Sequence, residues 1–250
     1  MMPGAKILSN GNGASSGGGE VRLLAKGTTL FASTSRIEAQ GGASGDGGFV
    51  EVSGDRKVFA NGHVSTLAAN GQTGTYLIDP TTITSVDGAR APTDLDVNGS
   101  DGTILAADVD GSPGNTLAEG VIEGILAGTN IVLEAQNTIT MNDISGGVGD
   151  VLLIPNNSNF TLRTTVAGGS ISFAQPGNAI QTQGTGTITL DSAGSINIGN
   201  LTTAGGNISL LAGTGVGSDI TIRTLNAGAG AVAIDAPNGA IINGNPGGTN

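Results

Sequence analysis

Six short stretches recur through the second half of this chain, each with apolar side chains at alternate positions. They are "IVLEA" at 131–135, "VLLIP" at 151–155, "ISFAQ" at 171–175, "ITLDS" at 188–192, "ISLLA" at 208–212 and "VAIDA" at 232–236. Their starts advance by 20, 20, 17, 20 and 24 residues. A second series, beginning near Ile139, Phe160, Ile180, Ile196, Ile220 and Ile241, keeps pace with the first. Period two marks strands with one buried face. A repeat near 20 residues holding two or three such strands is too short for a propeller blade of roughly 40. It fits one coil of a parallel β-helix, in which each coil hydrogen-bonds to the next and inward side chains stack into an aliphatic column. Aromatic residues are only 2% of the chain. That suits a narrow lumen filled by Ile, Val, Leu and Ala. The chain has 250 residues. With 20–24 residues per coil this predicts about ten coils and a rod on the order of 50 Å.

The first half follows the same pattern less regularly. "GGEVRLLA" at 18–25 is answered by "GGFVEVSG" at 47–54 and "GTYLIDP" at 74–80, with "RIEAQGG" at 36–42 and "HVSTLAANG" at 63–71 between them. Glycine contributes 45 residues, far above the roughly 7% of ordinary chains. In "GGASGDGGFVEVSG" at 41–54 the glycines immediately precede a strand, as expected of corners where the backbone turns between coil faces. A phosphate-cradling loop would need an amphipathic helix to follow, and none does.

One segment departs from this pattern. Residues 87–115 are acidic and carry two prolines. "TLAEGVIEGILAG" at 116–128 then switches to helical period, with Leu117, Val121, Ile122, Ile125 and Leu126 on one face. Thr116 and Glu119 have capping-box spacing, and Gly128 stands at the stop position. The expectation is a short flanking α-helix near 116–127 that covers an apolar strip of the solenoid. The chain then divides into coils at 1–86, an acidic insert with helix at 87–128, and coils at 129–250.

Formal net charge is −11, with only nine Lys and Arg. A nucleic-acid binder needs a basic footprint, so no nucleic-acid partner is expected. Cysteine is absent, which excludes disulfides, thiolate metal sites and Cys nucleophiles. No run approaches the roughly 20 apolar residues of a membrane span, and "MMPGAKIL" lacks the apolar core of a signal peptide.

The sharpest candidate site is Asp94-x-Asp96-x-Asn98-Gly99, which matches the first positions of an EF-hand calcium loop. The twelfth position is Leu105 instead of a bidentate Glu. Asp101, Asp108 and Asp110 lie nearby. The readings are an irregular Ca²⁺ loop formed by Asp94, Asp96, Asn98 and Asp101, or a solvated acidic loop in which Asp and Asn serve turns. "GGASGDGGF" resembles a calcium-binding nonapeptide superficially, with its aspartate out of register and no tandem copy. His63, the only histidine, reads as a surface residue. Arg163 and Arg223 face no evident acidic cluster, and Asp191 and Asp235 read as stacked positions of two coils, not as a hydrolytic pair. No enzyme activity is expected, and no cofactor other than Ca²⁺. Asn98, Asn156, Asn159, Asn200 and Asn207 open N-x-[ST] sequons, which turn chemistry also explains.

Two strings carry a family resemblance. "RIEAQGGASGDGGFVEVSG", followed by "VFANGHVSTLAANGQTGTYLIDPTTIT", resembles the filamentous haemagglutinin family, large exoproteins of two-partner secretion in Gram-negative bacteria. "GDGGFVEVSG" and "LIDPTTIT" are its most specific parts, and "VIEGILAGTNIVLEAQNTIT" at 121–140 extends it. The resemblance covers most of residues 18–140; the rest matches in repeat style alone. It implies a right-handed parallel β-helix serving as a shaft. It also implies export through an outer-membrane transporter, a secreted or cell-surface location, and adhesion to host-cell, carbohydrate or bacterial surface receptors. On this reading the chain is an internal piece of a longer exoprotein. The alternatives are a carbohydrate-active β-helix and a surface binder that uses flat Thr ladders, hinted at by "TIT" and "LTT".

Overall fold

The computed structural model describes residues 1–87, 115–142 and 151–245. It is a nearly all-β solenoid of parallel strands with almost no helix. The chain visits three faces in rotation. The first face is an eight-stranded sheet: β2 (Glu20–Ala25), β5 (Phe49–Gly54), β8 (Thr75–Pro80), β11 (Asn130–Ala135), β14 (Phe160–Thr164), β17 (Ile188–Asp191), β20 (Ile208–Leu211) and β23 (Val232–Asp235). The second face holds β3 (Thr28–Phe31) and β6 (Lys57–Ala60). It continues with β9 (Thr82–Val86), β12 (Thr138–Met141), β15 (Ser170–Phe173), β18 (Ile196–Asn197), β21 (Ile220–Ile222) and β24 (Ile241–Asn243). The third face holds β1 (Lys6–Leu8), β4 (Arg36–Glu38) and β7 (His63–Ser65), then β13 (Val151–Ile154), β16 (Ala179–Thr182), β19 (Asn200–Thr202) and β22 (Thr224–Asn226).

Each face sets its inward residues in continuous columns. On the first face one column runs Val21, Val50, Tyr76, Ile131, Phe160, Ile188, Ile208, Val232, and a second runs Leu23, Val52, Ile78, Leu133, Leu162, Leu190, Leu210, Ile234. The second face stacks six isoleucines: 83, 139, 171, 196, 220 and 241. The third stacks Leu152, Ile180, Leu201 and Leu225. Most of these side chains are wholly buried. On the last rung, however, Val232 and Ile241 are 46% and 56% exposed.

These columns correct the expected coil count. "IVLEA", "VLLIP" and "ISFAQ" are not successive copies of one strand; they lie on the first, third and second faces respectively. Ile131 stacks on Phe160, not on Val151. Outside the insert a coil takes 20–29 residues, and the solenoid makes about 7 turns instead of ten. At strand spacing the stack is about 35 Å tall. The lumen is also wider than expected. Phe31, Tyr76, Phe160 and Phe173 are all buried in it.

The region before β11 departs most from the simple coil. From Asn115 the chain lays down an extra second-face strand, β10 (Thr116–Ala118), beside β9 on the side away from β12. Asn115, at φ 68°, joins it to β6: its Oδ1 accepts from the Val58 N–H at 2.9 Å, and its own N–H donates to the Val58 carbonyl at 3.3 Å. The helix follows as α1 (Glu119–Glu123). It is a single turn, shorter than the expected 116–127, because Thr116–Ala118 pair as a strand and Ala118, not Thr116, is the N-cap. It is not a cover on the flank either. α1 stands where a third-face strand is due, buries Val121 and Ile122, and packs against β13.

The glycine corners have a different cause from the one expected. No glycine of 41–54 has positive φ. A Cβ on Gly48 would instead lie 2.1 Å from the Gly19 carbonyl oxygen and 2.9 Å from the Ala39 Cβ. Stacked corners press backbone against backbone, and a side chain has no room. Gly217 is the contrasting case, with φ +78° and nothing within 4 Å.

Two predictions follow from this packing. Ile208→Asp places a carboxylate at a wholly buried position of its column and should cost several kcal/mol. Ser209→Asp, one residue away and facing outward, should change stability by about 0.5 kcal/mol or less. Equal losses in thermal melts would contradict the inward and outward assignment. Gly48→Ala should cost more than Gly217→Ala, whose left-handed backbone accounts for roughly 1–2 kcal/mol; urea titrations compare the two directly.

Candidate functional site

The expected calcium ligands Asp94, Asp96, Asn98 and Asp101 lie outside the described residues. Among the described residues no group of three or more His, Asp or Glu is placed to hold a metal ion. The search for a site therefore rests on the outward columns of the three faces.

The first face carries charge. Arg22 pairs with Glu20 and Glu51, and its guanidinium lies 5.0 Å from the Phe49 ring centroid. Arg163 bridges Glu134 at 3.2 Å and Asp191 at 3.3 Å. The sequence pattern missed this cluster because it set Glu134 and Asp191 in one strand series and Arg163 in the other. All three occupy one outward column of β11, β14 and β17. Asp191 and Asp235 share that column with Leu211 between them. They are stacked positions and not a facing pair. Asp79, on the neighbouring β8, is pushed up to about 6 by burial first, then by the charges of Glu134, Glu51 and Asp55.

The second face is uncharged over most of its length. Thr116, Thr84, Thr140, Ser172, Asn197 and Thr221 form one outward column. Thr82, Thr138 and Ser170 form a second beside it. The "TIT" strings at 82–84 and 138–140 are thus adjacent rungs, separated in sequence by the insert.

The corners consume most of the asparagines. Asn159 donates to the Asn130 side chain at 2.9 Å and accepts from the Thr187 N–H at 3.0 Å. Asn207 accepts from the Ala231 N–H at 2.9 Å. Asn200 donates to the Gly177 carbonyl at 3.4 Å. Three of the five sequon asparagines, Asn159, Asn200 and Asn207, thus stitch one coil to the next, and Asn98 lies outside the described residues. Buried hydroxyls hold the corners too: Thr182 and Thr203 donate to the carbonyls of Gly186 and Gly206 within their own turns, and Ser192 donates to the Gly169 carbonyl of the preceding coil.

The third face carries three basic residues in the first coils. Lys6, Arg36 and His63 are in register on β1, β4 and β7, all exposed and facing outward. His63 is a surface residue, as expected, but its two basic neighbours give it a setting that its own sequence context did not reveal. No described helix is long and apolar enough to cross a membrane.

The Asp79 carboxyl yields a pH prediction. Its folded pKa stands above the ordinary value of 3.8. The stability it permits is therefore fully present below about pH 4 and is lost as pH rises through about 6. Asp79→Asn should match the parent at pH 3.5 and exceed it by roughly 1 kcal/mol at pH 8, a figure reduced for solvent screening of a half-exposed group. Chemical denaturation at the two pH values reads the difference; an offset that is the same at both would rule the effect out.

No family model, no curated protein and no solved structure matches this chain.

Proposed function

We propose that the chain is a structural and adhesive shaft segment of a large secreted exoprotein of the filamentous haemagglutinin type. The observation that carries this reading is the unbroken stack of inward columns from β2 to β23. It builds a rod whose outward positions are mostly hydroxyl, amide and paired charged groups. Such a surface suits multivalent contact better than bond-breaking chemistry, and we read the chain as a non-enzyme.

The resemblance strings support the same reading from their place in the fold. "RIE" forms β4, "FVEVSG" forms β5, "TYLIDP" forms β8 and "TITSV" forms β9. With β6 and β7 between them they make one continuous stretch of the solenoid wall, β4 to β9, ahead of the insert. On this reading the chain is exported through an outer-membrane transporter, stands at the surface of a Gram-negative cell, and meets host-cell, carbohydrate or bacterial receptors. A second reading, a binder of neutral polysaccharide surfaces, is favoured by the paired hydroxyl columns of the second face.

Sequencing the DNA on both sides tests the first reading. One open frame that continues as β-helical repeat, with a secretion domain upstream and a transporter gene nearby, is the expected result. Stop codons on both sides with no transporter gene would overturn it. Retention of the purified chain on insoluble neutral polysaccharide, lost in Thr84→Lys and Thr140→Lys, would favour the second.

A further inference from the structure

We infer that the first coils carry a binding site for a phosphate group, lined by Lys6, Arg36, His63 and Thr34 and closed on one side by the segment that ends α1. The four residues line a cleft of about 270 Å³ together with Gly124 and Leu126. Three of the chain's ten basic side chains thus meet in one place, in a chain of net charge −11. Their register places them on consecutive rungs, about 4.8 Å apart. The like charges of Lys6 and Arg36 repel at that spacing, and nothing in the packing of the core requires the three residues there, because all of them point outward.

The donors suit an oxyanion. Arg36 pairs with Glu38 through Nε, and Glu38 also accepts from the Asn10 side chain at 3.1 Å. That carboxylate is held on two sides, and it fixes the guanidinium, the planar group best matched to phosphate oxygens. Lys6 makes no ion pair among the described residues and supplies a mobile ammonium. Thr34 Oγ1 accepts from the Gly4 N–H at 2.9 Å, which leaves its O–H to donate. Glu123, the acidic residue nearest the helix end, is turned to another partner: it accepts from the Leu153 N–H at 2.9 Å.

The cleft exists because α1 replaces a strand. A third-face strand following β7 would continue the wall past His63. The one-turn helix instead brings Gly124 and Leu126 up beside the basic column and makes a hollow of it. The cleft offers more room than a lone phosphate fills. The group is therefore expected to arrive on a larger polar body or with bound water.

The test is calorimetric titration of the full chain with sodium phosphate and, separately, glucose 6-phosphate, at constant ionic strength, with chloride and glucose as blanks. Saturable binding is expected, weakened at least tenfold in Lys6→Gln and in Arg36→Gln. Arg163→Gln, which removes a first-face charge, should leave it unchanged. Tighter binding of the sugar phosphate identifies an ester as the source; equal binding identifies the free anion. Either result supports the site. Absence of saturable binding in the parent chain, or an equal loss in Arg163→Gln, would overturn it. Melting curves of the variants confirm that each is folded. The result does not depend on how the chain is exported or what its shaft adheres to.

Discussion

Everything in this molecule depends on register between neighbouring coils. A parallel ladder carries its hydrogen bonds only when each strand lies directly over the one before. The same alignment sets isoleucine over isoleucine from Ile83 to Ile241. The two requirements reinforce each other. A slip of one residue would keep most backbone bonds but turn every inward side chain outward. The burial of the columns therefore holds the coils to one alignment. The corners follow from the same constraint. Once the strands are stacked, the turns between them must stack as well, and Gly48 has no room for a side chain because the Gly19 carbonyl lies against it.

Within that constraint the coil tolerates exchange of its parts. β10 adds a strand to one face without shifting the next, since β12 still pairs with β9. α1 fills a third-face position with a turn of helix and keeps Val121 and Ile122 in the core. Both exchanges fall at the insert. The wall is irregular at that level, and the basic cleft opens there. The regular coils on either side act as scaffold, and the departure from regularity creates a recess that combines charge with volume.

Strands were legible in the sequence because alternation in "ISLLA" or "IVLEA" is a local property. Which face each strand occupies was not, since all three faces use the same alternation. Nothing in "VLLIP" marks it as a third-face strand; only its partner at 179–182 does. Misplacing it shortened the apparent repeat and separated Arg163 from Glu134 and Asp191. The helix was legible by its 3.6 period, but its first turn was claimed by pairing with Thr84–Val86, a tertiary contact that overrides local spacing. Glycine content pointed to corners, while the reason for it at Gly48, crowding and not positive φ, needs two coils in view. The acidic run at 94–101 was the clearest motif in the sequence, and it lies where the structure describes nothing.

Because each rung rests only on its neighbours, the solenoid has a distinct response to load. Tension applied through the chain ends does not strain the whole core at once. It falls on the outermost coil, whose ladder bonds and inward side chains are a small fraction of the total. That coil peels, and its 20–29 residues extend at up to about 3.5 Å each, releasing on the order of 70–100 Å of slack. The remaining stack is left in register as a template for the coil to rewind. A tether built this way lengthens in steps and recoils, so a sudden pull is spread over distance instead of being delivered to whatever holds either end.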